Sequence, residues 1–177
     1  LRKIFCAEMG AKHIFFVPSG THALELACHL LCLSPGDEVL IPSYNFPSAA
    51  NAVLLAGGVP VFCDVTPDTL NISSKDVARR ITPRTRAIIA VHYAAVACDM
   101  DALAKLAAQA GIVFIEVAAQ AVGAFYNKKP LGTLGRFGAY SFHSTKNFSC
   151  GEGGALVCGD EDYERACIFS EKGTNRL

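Results

Sequence analysis

Seven apolar runs of strand length, separated for the most part by helical segments, restrict this chain more than any other feature. They read "HIFFV" 13–17, "EVLI" 38–41, "VPVFCDV" 59–65, "RAIIAVH" 86–92, "IVFIEV" 112–117, "GAYSF" 138–142 and "GGALVC" 153–158. Helical patterns fall at about 21–33, 46–57, 73–81, 99–110 and 160–171, with turn signals in "LSPGDE" and "DVTPDTL". Strands that are apolar throughout, rather than alternating, are buried on both faces. With helices between them, they predict a three-layer α/β/α fold around a mainly parallel sheet of seven strands. The last two strands are joined by a loop too short to hold a covering helix, and Lys146 lies in that loop.

Length and composition narrow the function. A chain of 177 residues that is 51% apolar buries one substantial core and reads as a single domain. Sixteen basic residues balance sixteen acidic ones, so no net field favours nucleic acid or an anionic membrane. No apolar run reaches the roughly 18 residues that cross a bilayer. The eight cysteines show no metal-site spacing and read as buried thiols of a reducing, cytoplasmic compartment. The sequons at Asn71 and Asn147 read as accidental. The chain opens as if inside a helix and stops after another, as though cut from something longer.

In an open parallel sheet, ligands bind where the carboxyl ends of the strands meet loops and helix starts. Four stretches fall there. In "PSGTHALELA", 18–27, Ser19, Gly20, Thr21 and His22 open a helix whose free N–H groups and dipole suit a phosphate. Taken alone, the same residues are ordinary caps. "IPSYNFPSAAN", 41–51, puts Tyr44 and Phe46 where an aromatic can lie on a flat ligand or simply pack a loop. "IEVAAQ", 115–120, carries Glu116 and Gln120. Lys146 is the fourth, in a window from Tyr140 to Cys158 whose only other charge is Glu152. A lysine isolated among apolar and small polar residues is how a Schiff-base nucleophile is made, since desolvation favours the neutral amine. Together the four describe a site for pyridoxal phosphate.

These motifs, with "DVTPDTLNI", "ITPRTRAIIAVHYAAVACDMDAL", "EVAAQAVGA" and "YSFHSTKNFSCGEGGAL", resemble in order and spacing the sugar aminotransferases of the DegT/DnrJ/EryC1/StrS family. "EKGTNR", 171–176, is most similar to the branch that aminates dTDP-4-keto-6-deoxyglucose to dTDP-4-amino-4,6-dideoxygalactose. The resemblance implies the large domain of a fold type I pyridoxal phosphate enzyme, spanning 1–177 without the small carboxyl-terminal domain, and a homodimer with its active site at the interface. It implies that Lys146 carries the cofactor as an internal aldimine and shuttles the substrate proton. It implies that Gly20, Thr21, His22 and Ser141 hold the phosphate, that Phe46 stacks on the ring and that Gln120 bonds the phenolic oxygen. His92 and Tyr93 fall on the side of a nucleotide-sugar substrate, with glutamate as amino donor. One position departs: the family reads "EDAAQ", whose aspartate pairs with the pyridine nitrogen, whereas here Val117 stands at that place. A valine weakens the electron sink. Two other readings stay open, an impaired relative that keeps only the fold and a non-catalytic interaction module.

Overall fold

In a computed structural model, which describes residues 2–171, 173 and 174, the apolar runs become strands and the periodic segments helices. The first elements are α1 Arg2–Met9, β1 His13–Val17, α2 Gly20–Leu30, β2 Glu38–Pro42 and α3 Ser48–Leu55. Next come β3 Val59–Cys63, α4 Ser74–Arg80, β4 Thr85–Val91, α5 Met100–Ala110 and β5 Val113–Val117. The chain closes with β6 Phe125–Tyr126, β7 Lys129–Pro130, β8 Phe137–Ser141, β9 Gly154–Cys158 and α6 Asp160–Ser170. Part of the "EKGTNR" motif, at Lys172, Asn175 and Arg176, lies outside the described residues.

Seven strands form one sheet in the order β1-β9-β8-β5-β4-β2-β3. β8, β5, β4, β2 and β3 pair in parallel, while β9 runs antiparallel to both β8 and β1. The connection from β8 to β9, residues 142–153, forms no helix that could cross a face of the sheet as parallel returns usually do, and the chain comes back antiparallel. Helices cover both faces, and alternate residues of each strand point to opposite layers. Phe15, Val39, Ile41, Ile89, Ile115 and Leu156 pack with α2 and α3 through Leu24, Ala27 and Val53. Leu40, Ile88 and Ala90 face Val77 of α4 and Leu103 of α5. Ile14, Tyr140 and Val157 form a third cluster with Met9 of α1. Each large aliphatic chain so buried contributes about 1.5–3 kcal/mol before entropy is charged against it. No described helix is long and apolar enough to cross a membrane.

Several expectations shift. The run 59–65 leaves the sheet after Cys63, because the Asp64 N–H turns to the Asp76 carboxylate (2.8 Å) and Val65 bridges Ile72 instead. The second helix ends at Leu30 rather than 33, with Cys32 left-handed at φ 53°. The third starts at Ser48, since Pro47 is its N-cap. The small hairpin β6–β7 was not anticipated. The cysteines need correction too. Cys28, Cys63, Cys98 and Cys158 are buried, and burial pushes each thiol up to about 12. Cys32 and Cys150 are exposed, because they sit in loops rather than within apolar elements. Asn71, in a sequon, is buried, and its side chain donates to the Val96 carbonyl and accepts the Tyr93 N–H.

Asp76 ties the start of α4 to the end of β3. It is buried and accepts from Arg80 Nε (2.6 Å), Arg79 Nη2 (2.8 Å) and the Asp64 N–H. Arg80 and the Asp64 N–H, the largest influences, hold its carboxyl down from 3.8 to about 2. Because the folded value lies below the unfolded one, the stabilisation is present above about pH 4 and is lost as pH falls toward about 2. In urea titrations between these limits, Asp76→Asn should show a flatter loss of midpoint with acid than the unmodified chain. Parallel slopes would remove Asp76 from the acid response.

Candidate active site around Lys146

All the parallel strands of the sheet point their carboxyl ends to one edge, and the loops that leave β1, β2, β4, β5 and β8 converge there. Two cavities open between them, of about 280 and 340 Å³. Leu24, Phe46, Ser48, Val117, Ala119 and Lys146 line both, so the two are ends of one site with the lysine between them.

The smaller end is built on the start of α2. Ser19 is its N-cap in extended conformation, and its hydroxyl accepts the His22 N–H (3.3 Å). Gly20 follows because nothing larger fits: a Cβ there would lie 2.8 Å from the Ser141 Cβ and 3.2 Å from the Tyr140 carbonyl. Gly154 is squeezed the same way, its Cβ position 2.3 Å from the Ser19 carbonyl carbon. These contacts seat the first turn of α2 on the ends of β8 and β9. The hydroxyls of Ser19, Thr21 and Ser141 line the cavity beside that turn, which leaves backbone N–H groups without intrahelical acceptors. Hydroxyls and a positive helix end together suit a phosphate.

Lys146 is half-buried at the junction. Its N–H donates to the His143 carbonyl (2.9 Å), and His143 Nδ1 accepts the Thr145 N–H (3.2 Å), so a tight turn aims the lysine. Because Nδ1 accepts, the hydrogen of the neutral ring sits on Nε2, which lies 3.3 Å from the Glu152 carboxylate.

The larger end is aromatic and polar. Phe46 is 75% exposed and hangs over the junction, free to cover a flat ligand. The Tyr44 and Tyr93 rings meet edge to face at 5.2 Å with their hydroxyls 3.3 Å apart, and that hydrogen bond raises the Tyr93 hydroxyl. Gln120 accepts the Ala94 N–H through Oε1 (2.7 Å), which leaves its amide NH₂ to donate. That bond holds a strained turn, with Ala94 and Ala95 left-handed at φ 50° and 64°. For a residue with a Cβ this costs about 1–2 kcal/mol. Ala95→Gly should therefore raise the urea midpoint by the equivalent of about 1 kcal/mol at unchanged slope; a lowered midpoint would mean the turn is unstrained.

Beneath this edge, His92 and Glu116 form a buried pair. His92 Nε2 donates to Glu116 Oε2 (2.9 Å), and the Cys98 N–H donates to His92 Nδ1 (3.2 Å). Glu116 also accepts the N–H groups of Gly132 (2.8 Å), Leu134 (2.6 Å) and Gly135 (2.6 Å). It therefore points away from the cavities, as the alternation of β5 requires, and Val117 points in.

The structure thus brings Gly20, Thr21, Phe46, Val117, Ser141 and Lys146 together at the smaller end, and His92, Tyr93 and Gln120 at the larger. His92 is wall only, because protein groups take both its nitrogens. His22 is exposed and its side chain lines neither cavity, turning its ring to Ser19 (Nδ1 to Oγ 2.8 Å), so any part it has in the cradle is its backbone's. Sequence reasoning passed over His143, Thr145 and Ser48; "HSTK" held a signal for the first two. The residues present fit pyridoxal phosphate in their phosphate cradle, their amine and their amide donor. They do not offer a carboxylate to a ring nitrogen.

Residues 1–176 match the DegT/DnrJ/EryC1/StrS aminotransferase family. The chain is 42% identical over 160 residues to the spore coat polysaccharide biosynthesis protein SpsC of Bacillus subtilis, covering 90% of this chain and 41% of that one. It is 41% identical over 175 residues to 3-amino-5-hydroxybenzoate synthase of Amycolatopsis mediterranei, covering 97% and 45%. Among solved structures, that of S. venezuelae DesV in complex with a ketimine intermediate superposes with a TM-score of 0.94 at 38% identity, covering 99% of this chain and 48% of that one. The chain therefore spans less than half the length of these relatives.

Proposed function

The chain belongs to the DegT/DnrJ/EryC1/StrS aminotransferase family, and on that premise we propose that residues 1–177 are the cofactor-binding domain of a pyridoxal phosphate-dependent sugar aminotransferase. The enzyme moves an amino group from an amino acid, glutamate, to a keto-deoxysugar carried on a nucleotide. The observation that carries this reading is the position of Lys146, between a phosphate cradle on one side and an open, hydroxyl-lined cavity on the other.

Bound pyridoxal phosphate supplies an aldehyde that joins amines and a ring that draws electrons from the bond to be broken. The chain's own residues do the rest. Ser19, Thr21, Ser141 and the start of α2 bind the phosphate and so fix the ring's reach. Phe46 covers the ring and keeps water from it. The Gln120 amide donates to an oxygen on the ring and orients it. Lys146 Nζ, at the junction of the two cavities, would be the amine that holds the cofactor and the group that moves the donor's α-proton. Tyr44 and Tyr93 offer hydroxyls to the sugar at the wider end.

The surface next to the site supports a homodimer. Phe46, Leu54 and Leu55 are exposed and, with Pro47 and Asn51, line an open groove beside the cofactor cradle. The direct test is amino transfer from glutamate to dTDP-4-keto-6-deoxyglucose, followed by product mass. Formation of the amino sugar supports the reading. Transfer only to acceptors that are not sugars would move the reading away from sugars, toward the 3-amino-5-hydroxybenzoate synthesis for which the Amycolatopsis relative is named. A second reading, a slow or inactive relative that retains the fold, is favoured by Val117.

A further inference from the structure

Among the described residues, no carboxylate lines the larger cavity, and the smaller one has only Glu152, held by His143 at 3.3 Å. Glu116, next along β5, is wholly buried on the opposite face, and its two oxygens are occupied by four donors. His92, the one imidazole in the wall of the larger cavity, has no nitrogen to spare. The residues shared by the two cavities, among which a ring reaching from cradle to lysine must lie, are Leu24, Phe46, Ser48, Val117 and Ala119 with Lys146 itself, and none of them carries a carboxylate.

From this lining, and resting on the cofactor reading above, we infer that the site holds its aromatic ring with the ring nitrogen unprotonated. It recognises the ring by its phosphate, shape and stacking faces, and the nitrogen's charge contributes nothing. A pyridinium placed against Leu24, Val117 and Ala119, with no partner more polar than the neutral Ser48 hydroxyl, gives up hydration and gains no anion, so burial favours the neutral form. The consequence is chemical. A neutral ring draws electrons less strongly, so the lysine can join the cofactor readily while proton removal from the amino donor is slow. The site is a better cofactor holder than a fast transferase.

Two measurements on the 177-residue chain test this. The first is the nitrogen NMR shift of bound pyridoxal phosphate isotopically labelled at the ring nitrogen, which should be that of a neutral pyridine at pH 7. The second compares pyridoxal phosphate with the carbocyclic analogue in which CH replaces that nitrogen. The unmodified chain should bind the two within about twofold of each other, and Val117→Asp should prefer the pyridine by about tenfold or more through a charge-assisted hydrogen bond. A pyridinium shift, or a tenfold preference for the pyridine in the unmodified chain, overturns the inference alone. If neither molecule binds, the cofactor reading falls and takes the inference with it. Both decisive readouts use the unmodified chain, so they stand even where Val117→Asp fails to fold.

Discussion

Lys146→Ala is expected to abolish amino transfer while leaving the fold intact. The lysine supplies both the nucleophile and the proton shuttle, and the loss of positioned proton transfer alone costs about 10²–10⁴-fold in rate. The fold has little stake in the side chain. Lys146 is half-buried, and the bond that fixes its turn comes from its backbone N–H, which alanine keeps. Its removal should change stability by no more than about 0.5 kcal/mol, the scale of substitutions that touch no buried network. The check pairs a turnover assay with urea melts. Transfer that persists in the variant, at an unchanged midpoint, would assign the chemistry to another group.

Glu116→Gln should do the reverse, damaging the fold first. The carboxylate accepts three backbone N–H groups from the 132–135 loop and one from His92, with no exposure to water. An amide can satisfy the donors on one side only. Its NH₂ must face either Leu134 and Gly135 or Gly132 and His92, donor against donor. Stranding donors in the interior costs about 1–3 kcal/mol each, and more where the acceptor lost was a buried carboxylate. Against a total stability of about 5–15 kcal/mol this is a large share. The urea midpoint should fall accordingly, and cofactor loading should weaken as the end of β5 loosens. An unchanged midpoint would mean that the loop does not depend on this carboxylate.

The sheet was legible because fully buried strands carry continuous apolar runs, which "RAIIAVH" and "IVFIEV" show without ambiguity. The reversal at β9 was suggested by the absence of a helical pattern between the last two strands. The hairpin β6–β7 was not legible: its strands are two residues each, and its turn puts Asn127 and Lys128, rather than a glycine, in left-handed conformation. Lys146 and the α2 cradle stood out in sequence because each is local, a lone charge and a run of small residues. Tyr44 with Tyr93, and Glu116 with the 132–135 loop, are contacts between distant segments that only the folded sheet brings together. Even so, a glutamate in the middle of an apolar strand signals a buried partner, and strand alternation already turned it away from the ligand side. The place of His22 in the motif was legible, whereas the bend of its ring back to its own cap was not.

The central claim is that this chain holds pyridoxal phosphate on Lys146. The most direct measurement is to incubate the purified chain with the cofactor, reduce it with borohydride and locate the label by mass spectrometry. The account predicts one pyridoxyl group per chain, on Lys146 alone, with loss of the visible absorbance on reduction. No label, or label scattered over surface lysines such as Lys12 and Lys105, would contradict it.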